Sequence, residues 1–393
     1  MTTLAAATRA VTSPSRPSVA GAGRPAVRAG GAAVLVAAGY LDPGNWASDI
    51  AAGQDHAMRL GWVLVVAVVA AFVLQRLAAR VGAVTGADLC RLLQTHLPRW
   101  AFRTVRPLLV AAVALTDVAE VFGVVLGVRM VTGWSAGVAA AAAGVLVVAA
   151  VALPARGGRA LVYATVAGVT VVYAVVALRT GSLATAADVR PHALDLAAGP
   201  AALALIGSIL MPHNLLLHTA LGRDAGPRAR GGSRMLALSL FAALAINLIA
   251  MALAARMPSG GAVSVLTAVG PVLFGVTLVL CGLASSVTTG MVGSDVTRDL
   301  LPGRWGRPLP RRLLGLLPAV AALASPLPGM LVLAWSQTAL ALCLPAALVP
   351  LVWLAGRPDV MGAQRPGRWS LGIARTLVAG VSLAGLAVVV LPS

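Results

Sequence analysis

The sequence has no lysine, a single glutamate and only three cysteines among its 393 residues. Cys90, Cys281 and Cys343 have no ligand spacing, so they indicate neither a disulfide framework nor a metal knuckle. All 30 basic residues are arginines in short stretches, without the basic domain and interleaved aromatic residues of a nucleic-acid-binding protein. The sequence therefore predicts no resident cofactor, no nucleic-acid partner and no obligate protein partner.

Apolar residues, by contrast, make up 59% of the chain and raise the mean hydropathy to +0.91. A soluble domain could not bury so much apolar surface in one core, so the composition predicts an all-α polytopic membrane protein. Residues 1–28 hold four arginines and no acid, and they lack an apolar region before a cleavage site. We therefore expect a disordered cytoplasmic tail there and not a signal peptide.

Apolar stretches of about 20 residues, the length that crosses a bilayer, predict eleven spans. They lie roughly at residues 29–54, 60–79, 105–128, 134–154, 160–178, 198–220, 235–255, 264–293, 311–327, 329–355 and 370–391. If the amino terminus is cytoplasmic, 24 of the 30 arginines fall in the tail and loops on that side and five on the other. This asymmetry predicts a plasma-membrane protein with a cytoplasmic amino terminus and an extracellular carboxyl terminus.

The first span contains a run that a continuous membrane helix would not. Pro43 has no N–H, so the carbonyl of Gly39 loses its helical partner, and Gly44 lets the chain leave helical angles. Asp42 and Asn45 add two oxygen ligands beside this break. In hydrocarbon, such a broken helix is tolerated where the freed backbone lines a cavity or a bound ion.

A second break lies in the sixth span, at Met211-Pro212-His213-Asn214. Both breaks have a ligand-type residue, a proline, any residue and an asparagine, and Pro212 frees the carbonyl of Ser208 as Pro43 frees that of Gly39. Interrupted apolar segments at matching positions of two halves are typical of the central site of an inverted-repeat transporter.

The two breaks together offer the ligands of a metal ion. Asp42 supplies a carboxylate, Asn45 an amide oxygen, Gly39 and Ser208 their backbone carbonyls, and Met211 a thioether. Sulfur is a poor ligand for Mg²⁺ or Ca²⁺ but an acceptable one for softer first-row ions, so the set favours a transition metal. The alternative is that Met211 only fills space in the core.

Three further residues predict a proton route. Asp117 and Glu120 lie three apart on the third span, where a charge costs about 3 kcal/mol or more, and His213 follows the second proline. Two carboxylates held close together share a proton, and an imidazole titrates near neutral pH. The alternatives are hydrogen bonding between helices for the two acids and to the unwound backbone for His213.

At these residues the sequence resembles the Nramp family of proton-coupled divalent metal transporters. The resemblance covers nearly the whole chain after residue 28. It is carried by Asp42-Pro43-Gly44-Asn45, Met211-Pro212-His213-Asn214, Leu217-His218-Thr219-Ala220, Thr116-Asp117-Val118-Ala119-Glu120, the eighth-span run Ser285-Ser286-Val287-Thr288-Thr289-Gly290, and the tenth-span pairs Ser336-Gln337 and Leu344-Pro345.

The resemblance implies a LeuT-like fold in which spans 1 to 5 and 6 to 10 are inverted repeats and helices 1 and 6 are broken. The transport core would then be residues 29–356, with repeats at about 29–178 and 198–356, followed by a cytoplasmic loop and an eleventh helix at 357–393. It also implies that Gln337 is a metal ligand in one transport state and that Arg311 and Arg312 help protons to leave.

The leading hypothesis is therefore a proton-coupled importer of divalent transition-metal ions, Mn²⁺ or Fe²⁺, working by alternating access in the bilayer. A carrier of amino acids, amines or Mg²⁺ on the same fold is an alternative, although Asp42 opposes a carboxylate substrate and Met211 opposes Mg²⁺. A membrane-embedded metalloenzyme would need three fixed ligands and a positioned base, and the sequence offers no such set.

Overall fold

A computed structural model describes residues 25–181, 185, 188–226, 232–256, 270–300 and 329–390 of the chain. Within these ranges the regular structure is helical and there is no strand. The main helices are α1 (Pro25–Ala38), α2 (Pro43–His56), α3 (Gly61–Thr85), α4 (Leu89–His96), α5 (Arg99–Thr132), α6 (Ala136–Ala152), α7 (Ala155–Thr180), α8 (Gly199–Ile209), α9 (Pro212–Ala225), α10 (Gly232–Ala255), α11 (Pro271–Leu300), α12 (Gly329–Gly356) and α13 (Arg368–Val390).

The described helices agree with ten of the eleven predicted spans. Eight helical stretches are long and apolar enough to cross a membrane, and Gly31–Leu41 and Ala136–Ala152 form shorter apolar helices. The predicted ninth span, residues 311–327, lies outside the described residues, as do Arg311 and Arg312.

Both predicted breaks divide a span into two helices. In the first span, α1 leads into a 3-10 turn at Gly39–Leu41 before α2 begins at Pro43. In the sixth, α8 ends at Ile209 and α9 begins at Pro212. Each new helix begins at a proline because the missing N–H costs nothing in the first turn and the ring already has a helical φ. The prolines therefore fix where each second half-helix starts.

Glycines allow the broken helices to pack closely on their neighbours. A Cβ on Gly82 of α3 would overlap the carbonyl of Thr219 on α9, and one on Gly222 of α9 would overlap the carbonyl of Ala79 on α3. The two backbones therefore touch from both sides, in the small-residue contact common between membrane helices. In the same way Gly207 on α8 lies against the backbone of Gln337 on α12, which brings α12 to the second break.

Candidate metal site at the paired helix breaks

The first break ends in a capped helix. Asp42 is the N-cap of α2, with an extended backbone, and its carboxylate accepts a hydrogen bond from the N–H of Gly44 at 3.0 Å. The carbonyl of Gly39 has lost its α-helical partner and accepts only a long bond, 3.3 Å, from the N–H of Asp42. One carboxylate oxygen and much of one carbonyl are therefore left for another partner.

The second break repeats this backbone without the side-chain cap. Leu210 leaves the helix, Met211 occupies the N-cap position of α9, and Pro212 follows at the first helical position. The N–H of Asn214 donates to the carbonyl of Met211 at 3.2 Å, as that of Asn45 donates to Asp42 at 3.0 Å. Asn45 and Asn214 are thus third in their helices, so the sequence echo is also a structural one.

The two breaks meet in the middle of the protein. Gly39 lies directly against the side-chain amide of Asn214, so a Cβ there would overlap it. Gly44 lies equally close to the side-chain amide of Gln337. The Asn214 amide also points one N–H at the sulfur of Met211, 3.9 Å away. Side-chain amides of the second break and of α12 therefore pack directly against the first break.

The side chains at the breaks and Gln337 leave several buried hydrogen-bond acceptors without a donor in the described part of the chain. Four buried side-chain oxygens have no donor among the described residues: Oδ1 of Asp42, Oδ1 of Asn45, Oδ1 of Asn214 and Oε1 of Gln337. Buried acceptors without donors are costly, and a cation is the partner that satisfies several of them at once. Asp42, Asn45 and Met211 are all fully buried.

The donor set is also unlike a fixed metal centre. The part of the chain that the structure describes contains no cluster of three or more His, Cys, Asp or Glu side chains. The acceptors here are one carboxylate, neutral amides, carbonyls and one sulfur, which hold a divalent ion less strongly than several charged ligands would. Modest affinity suits an ion that must be released.

Glu120, one of the predicted proton carriers, is held by hydroxyl groups of α11. Ser285 donates to Oε1 at 2.7 Å and Ser286 to Oε2 at 3.0 Å, and Thr289 also donates to Oε1. Glu120 is fully buried on α5. The hydroxyl groups of α11 therefore supply polar surroundings for Glu120 that the membrane cannot.

The two histidines after the second break have different neighbours. His213 lies 3.2 Å from the hydroxyl of Thr116, which donates to its own helix at the carbonyl of Ala112. This places His213 beside α5, the helix of Asp117 and Glu120. His218 bonds within the bundle, with its ring 3.0 Å from the side chain of Gln75 on α3.

Several residues of this region could not be assigned from the sequence. Asn214 is part of a quoted motif, but its contact with Gly39 was not predicted. The Ser285 to Thr289 run was noted only as part of a resemblance, and its partner Glu120 is 165 residues away from Ser285. A series of hydroxyls on a membrane helix indicates a buried acid on a facing helix, so this pattern could have predicted the contact with Glu120.

The fold is that of a membrane carrier with two broken helices around a candidate cation site. A family model described as natural resistance-associated macrophage protein-like, Nramp, matches residues 33–391. The chain belongs to the Nramp family, and it is a divalent metal ion transporter and not an enzyme.

Relatives of known name agree with this assignment. The divalent metal cation transporter MntH of Ralstonia nicotianae is 33% identical, with 92% of this chain and 90% of the relative covered. MntH of Deinococcus radiodurans is 34% identical, with 85% and 83% covered.

Solved structures show the same fold. The Eremococcus coleocola manganese transporter, in complex with an aromatic bis-isothiourea compound, has a TM-score of 0.76 at 24% identity and covers 92% of this chain and 86% of its own. Mhp1, a nucleobase-cation-symport-1 family transporter, has a TM-score of 0.58 at 12% identity, with 95% and 92% covered. The predicted LeuT-like fold is therefore confirmed.

Proposed function

We propose that this protein imports Mn²⁺ or Fe²⁺ together with protons, by alternating access, and that Asp42, Asn45, Met211 and the carbonyls of Gly39 and Ser208 bind the ion. The observation that carries the proposal is the group of donorless acceptors around the breaks, beside a buried thioether. An oxygen-rich site with one sulfur favours first-row transition metals over Mg²⁺ and Ca²⁺. Gln337, whose amide touches Gly44, joins the ligand set in one transport state.

The direction of transport follows from the proposed orientation. With the amino terminus in the cytoplasm, the ion enters from outside, and an inside-negative potential favours entry by about 2.3 kcal/mol per charge per 100 mV. The carboxylate of Asp42 is the only acid at the breaks, and it binds the ion in its deprotonated form.

The proton route runs through the polar residues beside the site. Asp117 and Glu120 are both buried on α5, and His213 contacts the same helix through Thr116. Buried ionisable groups within a membrane usually mark an ion or proton route. Arg311 and Arg312, outside the described residues, remain the candidates for its exit.

Uptake by the purified protein in proteoliposomes tests which metal ions are transported. Mn²⁺, Fe²⁺, Ca²⁺ and Mg²⁺ compete at two pH values, with and without an inside-negative potential. We expect Mn²⁺ and Fe²⁺ to enter with acidification of the lumen, and Ca²⁺ and Mg²⁺ to compete poorly. Equal competition by all four ions would contradict the proposed selectivity.

Glu120→Gln tests the proposed coupling of metal uptake to protons. The substitution keeps the size of the side chain but removes its charge, so metal uptake should continue while its pH dependence and proton flux weaken. Asp55→Asn is the matched control, because Asp55 is exposed on α2. An unchanged ratio of protons to metal in Glu120→Gln would make Glu120 a structural residue.

A further inference from the structure

A second group of buried polar side chains lies near the metal site, and neither the family resemblance nor the proposed transport cycle uses it. Asp49 on α2, Tyr173 on α7 and Asn247 on α10 are each fully buried. Both carboxylate oxygens of Asp49, the hydroxyl of Tyr173 and both amide atoms of Asn247 lack hydrogen-bond partners among the described residues. Such groups are costly in a membrane protein unless something polar joins them.

The three helices bring these residues to one depth. Arg256, directly after α10, donates to the carbonyl of Thr180 at the end of α7, so these helices end on the same face. The turn after α2 reaches that face too, since Gly61 lies against the carbonyl of Asp188 in the loop after α7.

Counting back along each helix gives the common level. Asp49 is seven residues before the last residue of α2, Tyr173 seven before that of α7, and Asn247 eight before that of α10. At 1.5 Å per residue, all three lie about 10 to 12 Å below the same face.

Side-chain contacts agree with this placement. Trp46, three residues before Asp49 on α2, contacts the ring of Tyr173, with the ring centroids 5.2 Å apart and the planes tilted by 43°. On the other side, Gly53 of α2 lies against the backbone of α10 at Met251, one turn beyond Asn247. Asp49, Tyr173 and Asn247 therefore lie at one level on helices that pack closely, α2 against α7 through Trp46 and α2 against α10 through Gly53.

This group of polar side chains lies one helical turn along α2 from the proposed metal site. Asp49 follows Asn45 by four residues and so occupies the same face of α2, one helical turn nearer to the face where α2 ends. In the proposed orientation this is the extracellular face. An ion that enters from outside would meet the Asp49 carboxylate before it reached Asp42.

We propose that Asp49, Tyr173 and Asn247 form an outer cation subsite, which holds a partly hydrated divalent ion on its way to the paired breaks. The proposal rests on the proposed function, because it takes the ion to be a transported divalent metal. All of its acceptors are oxygens, a set that suits Mn²⁺, Ca²⁺ and Mg²⁺ alike. The outer subsite therefore attracts divalent ions without choosing among them, and selection is left to the site with the sulfur.

Metal binding to the purified full-length protein tests the subsite apart from transport. Mn²⁺ binding is followed by electron paramagnetic resonance in wild type, Asp42→Ala, Asp49→Asn and the double variant. We expect Asp42→Ala to keep a weak Mn²⁺ site from which Ca²⁺ displaces the ion, and the double variant to bind about tenfold more weakly still. Equal binding by Asp42→Ala and the double variant would overturn the subsite.

Uptake kinetics give the second readout. Asp49→Asn, nearly the same in shape, should raise the KM for Mn²⁺ by about tenfold while leaving the ratio of Mn²⁺ to Cd²⁺ uptake unchanged. Tyr173→Phe removes only a hydroxyl and should raise the KM by less. Tyr173→Phe replaces Asp49→Asn in this experiment if Asp49→Asn does not purify as a monodisperse protein. Asp55→Asn, on the exposed part of the same helix, should leave the KM as in wild type.

The two proposals fail in different ways. Full Mn²⁺ uptake by Asp42→Ala would remove the proposed inner site, whatever Asp49→Asn does. Loss of uptake in Asp42→Ala together with wild-type KM and binding in Asp49→Asn and Tyr173→Phe would leave the inner site standing and overturn the outer one.

Discussion

The two helix breaks share a backbone and differ in chemistry. Each has a residue at the N-cap, a proline after it and an asparagine third in the new helix. At the first break the N-cap carboxylate also caps its own helix, whereas Met211 at the second break makes no side-chain cap. The two breaks therefore share one backbone geometry, and in the proposed site one side chain at each break would supply a different ligand, one charged and hard, the other neutral and soft.

The largest expected effect comes from Asp42, the charged residue at the first break. Asp42→Ala removes the only negative charge at the breaks and the cap of α2, which contributes about 1 kcal/mol to helix stability. Mn²⁺ uptake should be abolished. Because loss of the cap alone could lower stability, thermal unfolding of the purified variant is measured beside uptake. A folded Asp42→Ala with near-normal uptake would contradict the proposed site.

The asparagines should have the next largest effects. Asn45→Ala and Asn214→Ala each remove an amide oxygen that has no donor among the described residues. If both breaks contribute an amide ligand, each variant should raise the KM for Mn²⁺ by about tenfold. A rise in Asn45→Ala alone would mean that Asn214 only positions Met211 and Gly39. Asn214→Asp, which keeps the oxygen, serves as the matched comparison.

The role of the Met211 sulfur is tested by the relative uptake of different ions. Met211→Ala leaves an oxygen-only site, so Mn²⁺ should still be carried, Cd²⁺ should lose affinity, and Ca²⁺ should begin to compete. If the methionine only packs, the cavity costs roughly 2 to 5 kcal/mol of stability and all ions lose uptake in parallel. Side-by-side uptake of the three ions decides between these outcomes.

The smallest effects are expected at the carbonyl donors, because the backbone binds and not the side chain. Ser208→Ala removes a hydroxyl that is bonded within its own helix, to the carbonyl of Leu205. Uptake should stay within about threefold of wild type, a change below about 1 kcal/mol. Gly39→Ala should have a somewhat larger effect, since the new Cβ must displace the Asn214 amide. A complete loss of uptake in Ser208→Ala would show that its hydroxyl acts in the cycle.

The break positions could be predicted because proline and glycine act locally. Pro43 and Pro212 determine where α2 and α9 begin, whatever surrounds them. Contacts across long stretches of chain could not be predicted in this way. The approach of Asn214 to Gly39, the hydroxyls around Glu120 and the common depth of Asp49, Tyr173 and Asn247 all depend on how helices pack.

One prediction from resemblance has a partial physical basis in the structure. Gln337 was named as a ligand only because the tenth-span motif matches the family. Its side-chain amide lies on Gly44, and its backbone lies on Gly207, where a Cβ would not fit. Two glycines, one from each half of the chain, thus make room for a single residue of α12. Sequence reasoning had assigned Gly44 to the break and had given no role to Gly207.

In the proposed transport cycle, the close glycine contact between α3 and α9 would divide the proposed metal ligands between two moving parts. Gly82 and Gly222 each lie against a facing carbonyl, so α3 and α9 would move together as one unit. The pivot would fall at Leu210 and Met211, where the backbone leaves the helix. Inward opening would move the Met211 sulfur with α9, while the Ser208 carbonyl stays with α8. The same movement that opens the exit would separate the proposed metal ligands, so the ion would be released without a competing ligand.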